Sequence, residues 1–310
     1  MKSGGIKLRM GFVEWLMLVG LSVLWGGSYF FVEIALTEWS PLLIVGVRVT
    51  VATFVIWAIV FAAGWRIPVS FAAWRAFFVM ALLNNVLPFL LIVWGQIEVA
   101  SGLAAILNAA APIFTVIVAG IFLRDERMTA AKLSGAILGL AGVAVLIGPS
   151  AFTGMNGSLL AQLAILGAAL CYAFAGVYVR RFLTFDVNPI VVAAGQLVMS
   201  SLIMAVLILA FDTPSRLLES SATVWGAVGG MAVFSTALAY ILYFRLIATA
   251  GATNAVLVTL LIPVTAVLLG SIFLGERLHA FHFAGMAVIG VGLLVIDGRL
   301  FGVVRGSEEV

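Results

Sequence analysis

Charge is what this chain has least of. Sixteen Lys and Arg and thirteen Asp and Glu make up only 9% of its 310 residues. A water-soluble domain carries roughly 25%. Hydrophobic residues reach 64%. No soluble fold hides that much apolar surface, so lipid is the solvent for most of the chain. Cysteine is nearly missing as well. Cys171 stands alone, which excludes an intramolecular disulfide. Histidine is confined to His279 and His282, in a loop and at a span entrance. There is no HExxH motif and no CxxC pair, so no metal site is expected. The phosphate-binding pattern of ATP-hydrolysing proteins is missing too. No two carboxylates fall together inside an apolar run, so general acid–base catalysis has no evident machinery. The expectation is a protein that is not an enzyme, with no catalytic residues, no metal and no cofactor.

What the chain does have is apolar runs. A bilayer-crossing helix needs about 20 apolar residues. Ten stretches approach that: 12–32, 41–63, 74–94, 100–123, 131–149, 158–179, 189–211, 222–244, 253–274 and 281–297. The first is too long for a cleaved signal core and has no small-residue cleavage site, so it reads as a retained span. Pro41 and Pro189 open the second and seventh runs, where a helix tolerates proline best. The net charge of +3 is read as topology, with no nucleic-acid partner. With both termini cytoplasmic, thirteen Lys and Arg fall on the inner side. Only Arg216 and Arg277 fall on the outer side, and Arg48 lies within a span. That is a strong positive-inside bias. The fold class expected is an all-α membrane protein with ten transmembrane helices.

The chain also repeats itself. Laying Pro112 on Pro263 aligns 112–123 with 263–274 at five identical positions. With one residue skipped, Glu126-Arg127 meets Glu276-Arg277. Gly135, Gly142 and Gly148 then meet Gly285, Gly292 and Gly298. Aliphatic matches weigh little in apolar segments. A proline, an acid–base pair and three glycines in one register weigh more. The expected units are 1–149 and 157–298, each of five helices. An odd number of crossings inserts the second copy upside down, giving inverted repeats. Secondary transporters recurrently use that arrangement, with the substrate site near mid-membrane between the halves.

The ten runs, the two halves, the WGGSYFFVEIAL of the first run and the P-x10-L-x(1–2)-ER pattern closing runs four and nine resemble the EamA family of the drug/metabolite transporter superfamily. Within it the chain looks most similar to bacterial YddG-type amino-acid exporters. The resemblance covers nearly the whole chain. It implies a multi-pass carrier of the bacterial inner membrane with a central cavity lined by spans one, three, four, six, eight and nine. It also implies that spans five and ten lie at the periphery.

Polar groups in lipid-buried helices are costly, and each needs a reason. In the half-to-half alignment Trp25 and Tyr29 fall on Tyr172 and Gly176. Asn84-Asn85 falls on Ser235-Thr236, Asn108 on Thr259, and Arg48 on Gln196. The residues singled out for substrate binding are Trp25, Tyr29, Asn84, Asn85, Asn108, Tyr172 and Tyr240. Deep aromatics with a few amides suit amphipathic solutes. The amides serve equally well as interhelical adhesion. Pro112 and Pro263 each remove a backbone hydrogen bond inside a span, and are read as hinges or as static bends. Arg48 either neutralises a substrate carboxylate or, in a structural role, pairs with backbone carbonyls, Glu33 or Glu98. Trp15, Trp39, Trp65 and Trp74 read as interface anchors. Gly135/Gly139 and Gly226/Gly230 read as close-packing pairs.

The function expected is export of small metabolites, with amino acids including aromatic ones as the solutes. The alternative is multidrug or organic-cation efflux by proton exchange, for which the interior lacks an obvious anionic partner. All thirteen acids lie at loops, tails or span ends, with Glu14 the only near candidate for coupling. Facilitated export is therefore favoured over proton exchange. The expected partners are the lipid bilayer and the small-molecule substrate, with the monomer as the expected unit.

Overall fold

The computed structural model describes residues 11–123, 129–147, 157–185, 187–251, 255 and 257–297. Glu126-Arg127, Gly148, Gly298 and both termini lie outside the described residues. Among those described there is no strand. Seven helices are long and apolar enough to cross a membrane: α1 (Phe12–Ala35), α2 (Pro41–Ala62), α3 (Phe71–Gly95), α4 (Ser101–Phe122), α6 (Leu159–Phe182), α7 (Pro189–Phe211) and α8 (Ala222–Ala250). Among the described residues there are also three shorter apolar helices: α5 (Ala130–Val145), α9 (Leu261–Phe273) and α10 (Ala280–Val295). Phe54, Phe61, Leu209 and Phe211 are among many large apolar side chains left exposed on the outside of the bundle. In water that would be an aggregation hazard; in a bilayer it is the lipid-facing surface.

The helices start where side chains can satisfy their first N–H groups. Ser40 accepts from Leu43 N ahead of Pro41, and Asn188 from Ile190 N ahead of Pro189. Ser70 and Ser221 cap α3 and α8 in the same way. The α4 helix begins after Ala100, which has no capping side chain. Its cap comes from far along the chain: the Glu276 carboxylate accepts from Ser101 N at 2.8 Å and Gly102 N at 3.0 Å.

Helix contacts fall into a pattern that survives exchange of the two halves. The α1 helix packs on α9 as α6 packs on α4. The α3 helix packs on α6 as α8 packs on α1, and α2 on α8 as α7 on α3. The pairs α2–α7, α4–α9 and α5–α10 map onto themselves. Glycines set the closest approaches. A Cβ at Gly26 would lie 2.1 Å from Thr265 Oγ1, so only glycine lets α9 cross α1 there. Thr265 Oγ1 donates to the Ser22 carbonyl across that crossing, at 2.8 Å. Gly139, Gly142 and Gly292 leave no room for a Cβ at the α5–α10 interface and its neighbour Ile113. The Gly226/Gly230 pair is different. A Cβ at Gly226 meets nothing within 4 Å, and one at Gly230 would make ordinary contact with Phe31. That pair is therefore not a close-packing device.

Two helices are interrupted at matching places. The α3 helix widens to a π-helical stretch at Leu82–Val86, and α8 does so at Met231–Leu238. The i→i+5 bonding of such a stretch inserts an extra residue and is frequent at functional sites. The α4 helix breaks at Ala109–Ala110, just ahead of Pro112, whereas Pro263 lies inside the helix Val258–Phe273. The proline itself opens the second segment of α4, where its missing N–H costs little.

Candidate functional site

The wide turn of α3 turns both asparagine side chains onto neighbouring helices. Asn84 Nδ2 donates to Gln196 Oε1 at 3.3 Å and to the Tyr240 hydroxyl at 3.2 Å. The Tyr240 hydroxyl donates in turn to Asn85 Oδ1 at 3.0 Å. Asn85 Nδ2 donates to Ser200 Oγ at 3.0 Å, and Ser200 Oγ to the Gln196 carbonyl at 2.7 Å. Asn85, Gln196 and Ser200 are buried. The result is a closed polar network that ties α3, α7 and α8 together inside an apolar bundle.

A cation lies close by. Arg48 on α2 is 7% exposed. Its Nε donates to Thr236 Oγ1, in the wide turn of α8, at 2.9 Å. Its guanidinium sits 3.9 Å from the Phe89 ring centroid on α3. It interacts electrostatically with Tyr29, Tyr172 and Tyr240. No carboxylate reaches it among the described residues. Neither Glu33 nor Glu98, the acids weighed as partners on sequence grounds, pairs with it.

The remaining expected residues are placed as follows. Tyr29 is buried on α1, within interacting range of the Asn108 side chain at the α4 break. Asn108 Oδ1 is buried and has no partner. Tyr172 packs against both of the large apolar clusters that fill the bundle. Trp25 stands apart from the network: its ring lies 5.3 Å from that of Tyr243, in the cluster joining the start of α1 to the end of α8. Asn84, Asn85 and Tyr240 are thus in direct contact. Trp25 belongs to a neighbouring aromatic pair. Gln196 was noted only as the counterpart of Arg48 in the half-to-half alignment, and Ser200 was missed; its only signal in the sequence is that it is a polar group inside an apolar run.

Two grooves open at the bundle surface. One, of about 570 Å³, is lined by Pro41, Leu87, Leu91, Trp94 and Phe211 between α2, α3 and α7. The other, of about 450 Å³, is lined by Glu33, Glu38, Trp39, Gln96 and Arg216. Neither is lined by the seven residues expected to bind substrate. Those residues close on one another or on apolar neighbours. Trp39 is also not a lipid-interface anchor. It is 2% exposed, donates to Ser220 Oγ and meets Trp225 edge-on at 5.0 Å.

A helical bundle with a lipid-facing exterior and a buried polar, cationic network is a multi-pass membrane protein. The chain belongs to the EamA-like transporter family, whose model matches residues 13–148 and again 159–297. It is 25% identical over 286 residues to an uncharacterized transporter of Archaeoglobus fulgidus, covering 91% of this chain and 98% of that one. It is 28% identical over 279 residues to the uncharacterized inner membrane transporter YedA of Escherichia coli, covering 90% and 89%. A protein of Escherichia coli named "Probable amino-acid metabolite efflux pump" is 26% identical over 296 residues, covering 88% and 91%. A crystal structure 21% identical in sequence superposes with a TM-score of 0.66, over 93% of this chain and 98% of the other, so the fold is shared. The protein is a multi-pass inner-membrane transporter of that family.

Proposed function

We propose that the protein exports small carboxylate-bearing metabolites, above all amino acids including aromatic ones, by alternating access between two inverted five-helix repeats. The single observation that carries this reading is Arg48. A guanidinium stays charged when buried, and a buried charge without a counter-charge is costly. A solute carboxylate supplies that counter-charge. Tyr29, Tyr172 and Tyr240 stand within electrostatic range of Arg48 and offer hydroxyls and ring faces. Asn84, Asn85 and Asn108 offer amides to the solute's ammonium and carboxylate, and Trp25 with Tyr243 offers an aromatic wall. The printed name of one relative, an amino-acid metabolite efflux pump, agrees with this solute class.

The inverted arrangement, with units 1–149 and 157–298, ten crossings and both termini cytoplasmic, has three supports. Helix contacts survive exchange of the halves. The family model matches twice. Gln96, just past the end of α3, donates to the carbonyl of Tyr29, in the last two turns of α1. Phe182, beyond the end of the α-helical part of α6, stacks on Phe77 near the start of α3 instead. The α1 and α6 helices therefore run oppositely with respect to α3. The α4 break ahead of Pro112 supports a hinge there, with Pro263 its counterpart. In the conformation described, the polar network is closed, and the solute enters when it opens.

The test is efflux from proteoliposomes preloaded with phenylalanine or threonine. Release faster than from protein-free vesicles supports the reading. Equal rates for every amino acid tried overturn it.

A further inference from the structure

A second polar cluster lies apart from the Arg48 network, where the ends of α1 and α3 meet the start of α4 and the segment after α9. It contains two carboxylates. Glu276 interacts electrostatically with Glu33. Three buried polar atoms in this cluster have no partner: Glu33 Oε2, Gln96 Oε1 and Ser101 Oγ. Gln96 is only 2% exposed and Ser101 is fully buried. The Gln96 amide nitrogen is used, donating to the Tyr29 carbonyl, one turn before Glu33 on α1, at 3.0 Å, and Gln96 and Glu33 line the same groove. Two acceptor oxygens, one on Glu33 and one on Gln96, are thus left without a donor in adjacent side chains. Leaving such groups unmade is expensive.

We propose that Glu33 is a proton-binding site: one proton resides on Glu33 and is hydrogen-bonded to Gln96 Oε1, and its uptake and release are coupled to opening of the bundle. The proton satisfies two orphaned acceptors at once and removes the repulsion between the two acids. Environment decides which acid takes it. Glu276 already accepts from two N–H groups at the start of α4, which occupy both of its oxygens. Glu33 has no such donors, so the proton goes there. The charged groups facing Glu33 are Glu276 from the segment after α9, and Glu38 and Arg216 across the groove they line together. That groove, of about 450 Å³, gives water a route to the carboxyl.

The site also touches the moving parts. Gln96 holds the carbonyl of Tyr29, a residue within interacting range of Asn108 at the α4 break. Glu276 holds the start of that same helix. A change of charge at Glu33 is therefore felt at both ends of the α4 segment Ser101–Asn108. The coupling to export rests on the transporter reading above, whereas the proton site does not depend on which solute is carried.

The test is a pH titration of the purified full-length protein in phospholipid nanodiscs, followed by the infrared band of protonated carboxyl groups, with no solute added. The expected result is a band that grows as pH falls and is lost in Glu33→Gln, an isosteric change that keeps a hydrogen-bonding amide at the position. In Glu276→Gln the band persists, but its midpoint moves to lower pH by about one unit, because a neighbouring negative charge no longer favours the proton. A titrating band that survives Glu33→Gln unchanged overturns the proposal. So does an unshifted midpoint in Glu276→Gln, or the absence of any titrating carboxyl band in the unaltered protein. Efflux measured separately with and without an imposed proton gradient tests the coupling. Equal sensitivity to the gradient in the unaltered protein and Glu33→Gln overturns it.

Discussion

Arg48 on α2 donates to Thr236 on α8 across 188 positions of chain, and the acceptor hydroxyl lies in a stretch where α8 has left α-helical geometry. Thr236 Oγ1 itself donates to the Met231 carbonyl five residues back, at 3.3 Å. The cation is thereby fixed against the widened part of one helix and against the ring of Phe89, just beyond the widened part of another. Replacing Arg48 by Met should leave thermal stability unchanged or raised, because an apolar side chain of similar length removes an uncompensated buried charge. The same change should weaken binding of phenylalanine by at least about tenfold, since the solute carboxylate loses its counter-charge. Ligand-induced shifts in melting temperature in detergent check both outcomes.

Gly26 and Gly226 form a contrasting pair. Gly26→Ala places a methyl group against Thr265 Oγ1 and the backbone N of Ala266. Destabilisation of about 1–3 kcal/mol is expected. Gly226→Ala enters open space and should be neutral or stabilising by up to about 1 kcal/mol through helix propensity. Parallel melts of the two variants distinguish these effects.

Tyr240→Phe removes the hydroxyl that joins Asn84 to Asn85. Both amides remain buried or half-buried with one partner fewer. A loss of about 1–2 kcal/mol is expected, together with slower efflux. Asn85 keeps its bond to Ser200, so the fold should survive. A melt and a vesicle efflux assay on the same preparation measure the two consequences.

Glu38 accepts from Ser221 N, at the cap of α8, at 2.8 Å. The hydrogen bonds from Ser221 hold its carboxyl below the usual carboxylate range, against a smaller opposing effect of desolvation. The depressed acid stabilises the fold above its unfolded-state pKa, and that contribution fades as pH falls through the folded-state value. Glu38→Gln should therefore lower the melting temperature at neutral pH and leave it nearly unchanged at the acid end, flattening the acid limb of a plot of melting temperature against pH.

Much of the architecture was legible because lipid imposes simple rules. Length and apolarity located the helices, and Ser40-Pro41 and Asn188-Pro189 start helices as their chemistry dictates. Gly139, read as part of a close-packing pair, does lie where a helix approaches closely, and Gly142 and Gly292 join it at the α5–α10 contact. Asn84 and Asn85 stood out because an amide in an apolar run must find a partner. The partners were not legible. Gln196, Ser200 and Tyr240 lie 112 to 156 positions away, and Glu276 caps α4 from 175 positions away. No local pattern announces a π-helical stretch either: Pro88, the one helix-breaking residue in the run, follows the wide turn instead of lying in it. Trp39 was misjudged for a related reason: its position at a span end fits an anchor, but Trp225 and Ser220 bury it from outside its own segment.

The wide turns of α3 and α8 also carry a mechanical meaning. Each houses residue length that an α-helix would not, and passing that excess along the helix by one residue turns everything beyond it through about 100°. Beyond one turn lie Pro88 and Phe89, and beyond the other lies Tyr240. A rotation of that size in either helix would swing an aromatic ring away from Arg48 or from the asparagines. Such a screw-like slip could unlock the centre of the bundle with no helix leaving the membrane.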